Sequence, residues 1–430
     1  MTAGPLARPP GIGAGVVGGD VVRESAAAGR VVFWEESARD GAQAKTLMTA
    51  GFRVRLAREQ GRIFGTDGPR HVVFAAGFPA VCAEEFDAVR QVAVEAEGAV
   101  SVAAVCRGRS EDVRQAVASV RGTAHARVMV VVPGSEAMAR VMTRRTAREA
   151  LEQGVALVKD ARNLDTGVAV DVCVADAARA DHGLLAEYAA AFTAAGAGTV
   201  LLADTVGDQL PAEVSHLFSR VRAAAGDDVV LASHLHNDLG LGLANTLEAL
   251  AAGVRVVSSS WLGIAERSGM VATEQLLFLL AHRAEHTARL LGTGADPWWT
   301  PPDLTRLPGI ARMVADETGV PLGVTTPIVG TGVGTISTGT PFVHPRLFQP
   351  FDPEESLGIA PSVVLTQLAS ARVVKAVAAR LGRPLDDAQA HAATAWVKRR
   401  AFRTGRAVVD DHAFDAYLEG LRTDPTENGS

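Results

Sequence analysis

Cysteine is scarce. The three thiols in 430 residues, Cys82, Cys106 and Cys173, lie far apart and form no CxxC pair. That spacing argues against a disulfide framework or a structural zinc site, and it fits a reducing cytoplasm. All three are expected to be small buried hydrophobes. Excess positive charge is missing as well. A net charge of −6 gives no electrostatic reason to expect nucleic acid or an anionic membrane surface as partner. No apolar run reaches the roughly 18–20 residues of a membrane span. The first 29 residues, rich in Gly, Ala and Pro, lack the basic start and continuous apolar core of a signal peptide. They are expected to form a flexible leader.

What the chain does have is alternation. Apolar residues make up 48% of it, enough for a sizeable core. From about Arg30 to His286, short runs rich in Val, Ala and Ile alternate with longer Ala/Leu/Glu/Arg-rich stretches. The expected strands are Val31–Glu36, His71–Phe78, Ser101–Arg107, Ala126–Pro133, Val168–Ala175, Thr199–Thr205, Val229–His236 and Arg255–Leu262. Helices are expected over Ala83–Glu97, Ser135–Asp160, His182–Ala195, Pro211–Ala225 and Leu241–Ala252. Pro211 suits a helix's first turn, where its missing N–H loses no partner.

Eight βα units over roughly 250 residues predict an α/β fold, a (β/α)8 TIM barrel. The competing doubly wound sheet usually carries a Gly-rich phosphate loop after its first strand. Here that position reads Ser37-Ala38-Arg39-Asp40-Gly41, which is charged. The expected organisation is a leader over 1–29, a catalytic barrel over 30–290, a Pro/Gly/Thr-rich linker subdomain over 291–355 and a helical C-terminal region over 356–430. Within the last, Pro361–Leu381 and Asp386–Thr404 return to helical periodicity.

Active sites of such barrels lie at the C-terminal ends of the strands. Three clusters fall there. Arg39-Asp40-Gly41-Ala42-Gln43 follows the first strand. Its Asp is a potential metal ligand and its Arg a stabiliser of a developing oxyanion; a capped helix turn is the alternative. His234-Leu235-His236-Asn237-Asp238 ends the seventh strand. Residues i and i+2 of a strand point the same way, so the two imidazoles share one face, as a two-His metal site requires. Asn237 or Asp238 is placed to orient them. Asp204-Thr205-Val206-Gly207 follows the sixth strand. Thr205 is a donor for a substrate carboxylate, and Asp204 either joins the chemistry or holds the loop. Asp40, His234 and His236 are therefore expected to converge on one divalent ion, for which Mn2+, Mg2+, Co2+ and Zn2+ all suit the donors.

At these residues the sequence resembles the DRE-TIM metallolyase superfamily, which includes homocitrate synthase, 2-isopropylmalate synthase, Re-type citrate synthase and hydroxymethylglutaryl-CoA lyase. The Arg39-Asp40-Gly41-x-Gln43 and His234-x-His236-Asn237-Asp238 signatures carry the resemblance. Gly77-Phe78-Pro79, Asp176-Ala-Ala-Arg179, Asp204–Gly207, Gly263–Gly269, Pro327–Gly330 and Pro350–Glu354 support it in the same order. The resemblance implies metal ligation by Asp40, His234 and His236, with Arg39, Thr205 and Glu266 as catalytic residues. It also implies substrate contacts from Gln43, Ser135, Arg140, Arg179 and Thr205. The Glu266-containing loop and Pro350–Glu354 favour the synthase branch over the lyase branch; Met270 stands where lyases carry a further Asn ligand. The implied reaction is a Claisen-type acyl transfer: a base takes a proton from the acetyl-CoA methyl, the enolate attacks the keto carbon of a small 2-oxo acid, and thioester hydrolysis releases CoA. A cytoplasmic homodimer is also implied, because the family linker reaches into a neighbouring site. The apolar face of Val363–Leu381 would serve that dimer or pack internally.

Departures from the family pattern narrow the substrate. Acidic positions of the family are Ala42, Ala75 and Ala175 here. The linker span Ile336–Pro341 has no His; His344 is the nearest candidate base. Such departures resemble divergent members that take oxaloacetate or analogues with a phosphonate or phosphinate in place of its distal carboxylate. Phosphonomethylmalate and phosphinomethylmalate synthases of antibiotic pathways are of this kind. Arg107, Arg109 and Arg140 are candidate partners for that extra charge. A carbon–carbon lyase of the same superfamily, a metal hydrolase and a non-catalytic metal-binding relic are the alternatives.

Overall fold

In the computed structural model, residues 19–292, 294 and 296–423 are described. They fall into two compact units, one ending at Pro321 and one beginning at Leu322.

The first unit is built on eight parallel strands: β1 (Val32–Glu35), β2 (Val72–Gly77), β3 (Ser101–Arg107), β4 (Arg127–Pro133), β5 (Ala169–Ala175), β6 (Ala197–Asp204), β7 (Leu231–Leu235) and β8 (Val256–Ser259). β1 pairs with both β2 and β8, so the sheet closes into a barrel. The expected (β/α)8 architecture is what forms. Strand termini differ from expectation by a few residues.

The alternation of side chains along each strand sorts the core. Val32 and Trp34 of β1 pack with Val73, Ala75, Ala103, Val105, Met129, Cys173, Leu201, Ala203, Ala232 and Val256, a set drawn from all eight strands. Only the barrel interior lets all eight meet. Trp34 fits there because four of its fellow members are alanines, small residues offsetting a large one. Phe33, one residue out of phase, faces the surrounding layer and stacks on Trp298 with centroids 6.1 Å apart. Parity then carries β1's inward face on to Glu36, and β7's from Ala232 to His234 and His236.

The expected leader is ordered in its second half. Residues 1–18 lie outside the described residues, but Val21–Ala27 is a helix. Asp20 caps it, accepting from the Val22 and Arg23 amides at 3.2 Å each. Val22 and Ala26 join the barrel's interior cluster. Asp20 also bonds Arg127, whose guanidinium lies 2.7 Å from Asp171; the Thr199 hydroxyl donates to that same carboxylate at 2.7 Å. A composition of Gly and Ala suggested a loose segment, but burial against the barrel's N-terminal mouth orders its last turns.

The first unit also runs past the expected boundary at 290. His71 donates from Nδ1 to the Val31 carbonyl at 2.7 Å and accepts the Trp299 amide at Nε2, 2.9 Å away. Helix Leu307–Thr318 then completes the unit. The helix expected over Ser135–Asp160 divides into Glu136–Thr143 and Ala147–Leu164, because Thr146 starts the second with a capping box to Glu149. Cys106 and Cys173 are buried as expected, whereas Cys82 is exposed just before helix Ala83–Glu95. No helix among the described residues is long and apolar enough to cross a membrane.

In the second unit, helices Ala371–Arg380, Asp387–Thr404 and Asp411–Thr423 surround a core that includes Val373, Val374, Val377, Val397, Phe414 and Leu418. The apolar face expected in Val363–Leu381 is thus buried within the unit. The first part of the expected helix 361–381 is extended instead. Ser362–Val363 pairs with Thr335–Ile336, and Leu365–Thr366 with Val408–Val409.

Candidate metal centre at the barrel mouth

Immediately after β1 the chain turns sharply. The amides of Arg39, Asp40 and Gly41 all donate to the Glu36 carbonyl, at 3.0, 2.8 and 3.2 Å. This turn folds Asp40 over the strand ends, towards the imidazoles that end β7. His234 Nε2 lies 3.5 Å from Asp40 Oδ2, His236 Nε2 lies 3.9 Å from it, and the two Nε2 atoms are 3.2 Å apart. All three residues are buried. Asp40 is held further by the Glu266 amide, which donates to Oδ1 at 2.9 Å, and by Arg39, whose Nη1 lies 2.8 Å from Oδ2.

The electrostatics are those of a cation site. Burial alone would raise the Asp40 carboxyl, but His234, Arg39 and His236 hold it far below the usual range. Burial alone would lower His234, but the Asp40 and Glu36 carboxylates beside it raise it to about 9. His236, buried and next to a second imidazole, is lowered to about 4. The potential therefore draws one positive charge into the cluster. The donor set of one carboxylate and two imidazoles fits a divalent transition ion or Mg2+. Donor atoms of all three residues lie within 4.8 Å of one another. Both Nδ1 atoms, and both carboxylate oxygens of Glu36, are buried without hydrogen-bond partners. Orphans of this kind are rare unless function keeps them.

The other expected residues separate into those the fold brings near one another and those it does not. Thr205 Oγ1 accepts the Asp176 amide at 2.8 Å, so its own proton is left to donate outward. Arg179 Nε lies 2.7 Å from the Asp176 carboxylate, which the Ser135 hydroxyl also bonds. Ser135 in addition caps helix Glu136–Thr143. Gln43 Nε2 reaches Glu266 Oε2 at 3.4 Å. Asp204 takes the loop-holding role, accepting from the Gly207 and Gln209 amides.

Arg140 is not brought in. Its side chain is 76% exposed, with Glu136 3.9 Å away. Arg107 is committed to Asp112 at 2.5 Å, and Arg109 is exposed. His344 is exposed and belongs to the second unit. Asn237 and Asp238 do not orient the imidazoles: Asn237 accepts the Gly242 amide, and Asp238 holds Arg267.

Two participants carry no expected role from the sequence, although Arg267 lies within the Gly263–Gly269 motif. Arg267 grips Asp238 with Nε and Nη2 at 2.9 and 3.0 Å and donates to the Thr205 carbonyl at 2.7 Å. It thereby ties together the loops after β6, β7 and β8. Glu36 is the second; its inward direction follows from strand parity, but its neighbours do not.

A closed eight-stranded barrel with an Asp/His/His cluster at its C-terminal mouth defines a barrel of the metal-site class. Residues 30–314 match the HMGL-like family model, and the chain belongs to that family, within the DRE-TIM barrels. It is 31% identical over 391 residues to a 2-isopropylmalate synthase of Solidesulfovibrio magneticus, covering 89% of this chain and 72% of the relative. It is 32% identical over 259 residues to the 2-isopropylmalate synthase of Syntrophus aciditrophicus, 60% of this chain but only 48% of that protein. Among solved structures it is similar to hydroxymethylglutaryl-CoA lyase from Pseudomonas aeruginosa, with TM-score 0.55 and 21% identity over 68% of this chain and 94% of that one. The HMG-CoA lyase from Brucella melitensis gives 0.54 and 20%, over 67% and 99%. At such identities the structural likeness concerns the fold.

Proposed function

We propose that this chain is a divalent-metal-dependent acyltransferase that condenses acetyl-CoA with a 2-oxo acid, giving a substituted malate and free CoA. The observation that carries the reading is the convergence of Asp40, His234 and His236 with Arg39 beside them. Arg39 supports Asp40 and also sets a guanidinium beside the ligands, where charge would develop on a reacting oxygen. The relatives' name, 2-isopropylmalate synthase, supports a condensation of this type.

In this reading Asp40, His234 and His236 hold the ion, whose chemistry when bound is Lewis-acid polarisation of a carbonyl. Arg39, in a buried surround, stabilises negative charge that develops on an oxygen of the reacting groups. The Thr205 hydroxyl donates to the acceptor's carboxylate, and Arg179 offers a cation from the same cluster. Gln43 and Glu266, linked to one another, supply the remaining polar groups. A base takes a methyl proton from acetyl-CoA, the methyl carbon bonds to the keto carbon as the C=O π electrons move onto oxygen, that oxygen takes up a proton, and water cleaves the thioester to a carboxylate and the CoA thiol.

For the acceptor, the proposal is oxaloacetate or a pyruvate bearing a phosphono or phosphino group at C3, on the departures from the family pattern at Ala42, Ala75 and Ala175 alone, since Arg107, Arg109 and Arg140 are not brought to the site. Mn2+, Mg2+, Co2+ and Zn2+ all suit the donors, and a homodimer is the proposed assembly.

The test is thiol release from acetyl-CoA by the full chain, with Mn2+ and with chelator. The acceptors are oxaloacetate, phosphonopyruvate, phosphinopyruvate, 2-oxoglutarate, 2-oxoisovalerate and glyoxylate. Metal-dependent release with an anionic acceptor is expected. Release with 2-oxoisovalerate alone would overturn the acceptor assignment; silence with every acceptor, in protein that binds metal, would overturn the activity.

A further inference from the structure

The geometry points to Glu36 as a positioning residue for the candidate metal centre: its carboxylate receives the Nδ1 proton of His234 and so dedicates Nε2 to the ion. The inference rests on the metal reading above and adds a residue outside its ligand set.

Glu36 is fully buried one residue beyond β1. Its carbonyl is anchored by three amides, so its direction is set by the backbone. Neither carboxylate oxygen has a hydrogen-bond partner. The nearest guanidinium is that of Arg39, whose Nη1 is 3.9 Å from Glu36 Oε2 but 2.8 Å from Asp40 Oδ2. Arg39 is thus engaged elsewhere, and a buried carboxyl group is left without a donor.

The missing donor lies close by. Glu36 Oε1 is 3.5 Å from His234 Nδ1, which is itself buried and unpartnered. That separation is longer than a formed N–H···O bond. A neutral imidazole carries one N–H and one lone pair. When Nε2 gives its lone pair to a cation, the proton must sit on Nδ1, in a site where water cannot serve it. An orphan acceptor and an orphan donor then face each other, and a small closure satisfies both. Glu36 stands on the Nδ1 side of the ring, whereas Asp40 and His236 stand on the Nε2 side. It is therefore behind the ligand and not in the ligand set. A carboxylate in that place also makes the imidazole a stronger base and cancels one positive charge, as partners of metal-bound histidines commonly do.

The experiment uses the metal-free full chain. Co2+ affinity is measured by calorimetry for the native protein, Glu36→Gln, Glu36→Leu and Asp40→Ala. The imidazole N–H signals are followed by NMR in the Zn2+-loaded forms, and melting of the metal-free forms controls for folding. Glu36→Leu is expected to bind Co2+ about 10–100-fold more weakly, with Glu36→Gln between it and the native protein. The His234 Nδ1–H resonance, far downfield in the native protein, should move upfield in Glu36→Gln and exchange away in Glu36→Leu. A merely structural Glu36 would change melting and leave that resonance in place. If both variants bind Co2+ within twofold of native and keep the resonance, the assignment of Glu36 is overturned while the metal reading stands. If the native protein binds no better than Asp40→Ala, the metal reading falls and takes this inference with it.

Discussion

His234 Nε2 and His236 Nε2 face each other across 3.2 Å, with an Asp40 oxygen 3.5 and 3.9 Å from them. Two lone pairs so close repel unless a cation or proton lies between. Asp40→Ala and His234→Ala are therefore expected to lose divalent-ion affinity by at least about 100-fold. An ion present at 100 times its Kd stabilises the fold by about 2.7 kcal/mol. The native chain should melt at lower temperature after chelation, and the variants should not respond. An unchanged native melting curve in excess Mn2+, Mg2+, Co2+ and Zn2+ would count against the site.

Arg39→Lys tests the oxyanion role. Lysine keeps the charge but not the planar fork that reaches past Asp40. CoA release should fall about 10²–10³-fold, as when an oxyanion donor is removed, with Co2+ affinity nearly unchanged. A loss of metal affinity equal to the loss of rate would make Arg39 a support for Asp40 instead.

His71 makes stability depend on pH. Burial lowers it to about 4, from an ordinary value of 6.5, and outweighs the Val31 carbonyl, which favours the charged ring. Between those pH values the unfolded chain binds the proton and the folded chain does not. Stability should therefore rise as pH increases from 4 to 6.5. The native protein minus His71→Asn, compared by urea unfolding across that window, isolates the contribution. Parallel curves would show that His71 does not carry it.

The helix Val21–Ala27 should matter to stability. Removing residues 1–29 deletes Asp20, Val22 and Ala26 and leaves Arg127 with Asp171 alone. Asp171→Ala, which leaves a buried guanidinium short of its main partner, should cost about 3–5 kcal/mol in urea unfolding. A truncated chain as stable as the full one would restore the flexible leader.

Much of this molecule is readable locally. Eight apolar runs followed by helical periodicity specify a closed βα barrel, because strands covered on both faces must be apolar throughout. Strand parity and position at the C-terminal rim single out His234 and His236, and the Arg39–Gln43 signature adds Asp40. Other features depend on partners distant in sequence. Beyond the Asp20 cap, little near Val21–Ala27 announces a helix; Arg127 and the barrel mouth create its burial. Nothing local tells Arg140, which helix Glu136–Thr143 turns to solvent, from Arg267, which three loops enclose. Glu36 shows the division most clearly. Its inward direction is a property of an alternating strand, readable in one dimension. That its carboxylate lies behind the His234 ring, unpaired, is decided by the register of β1 against β8 and by the closure that brings β7 within reach, and packing alone sets both.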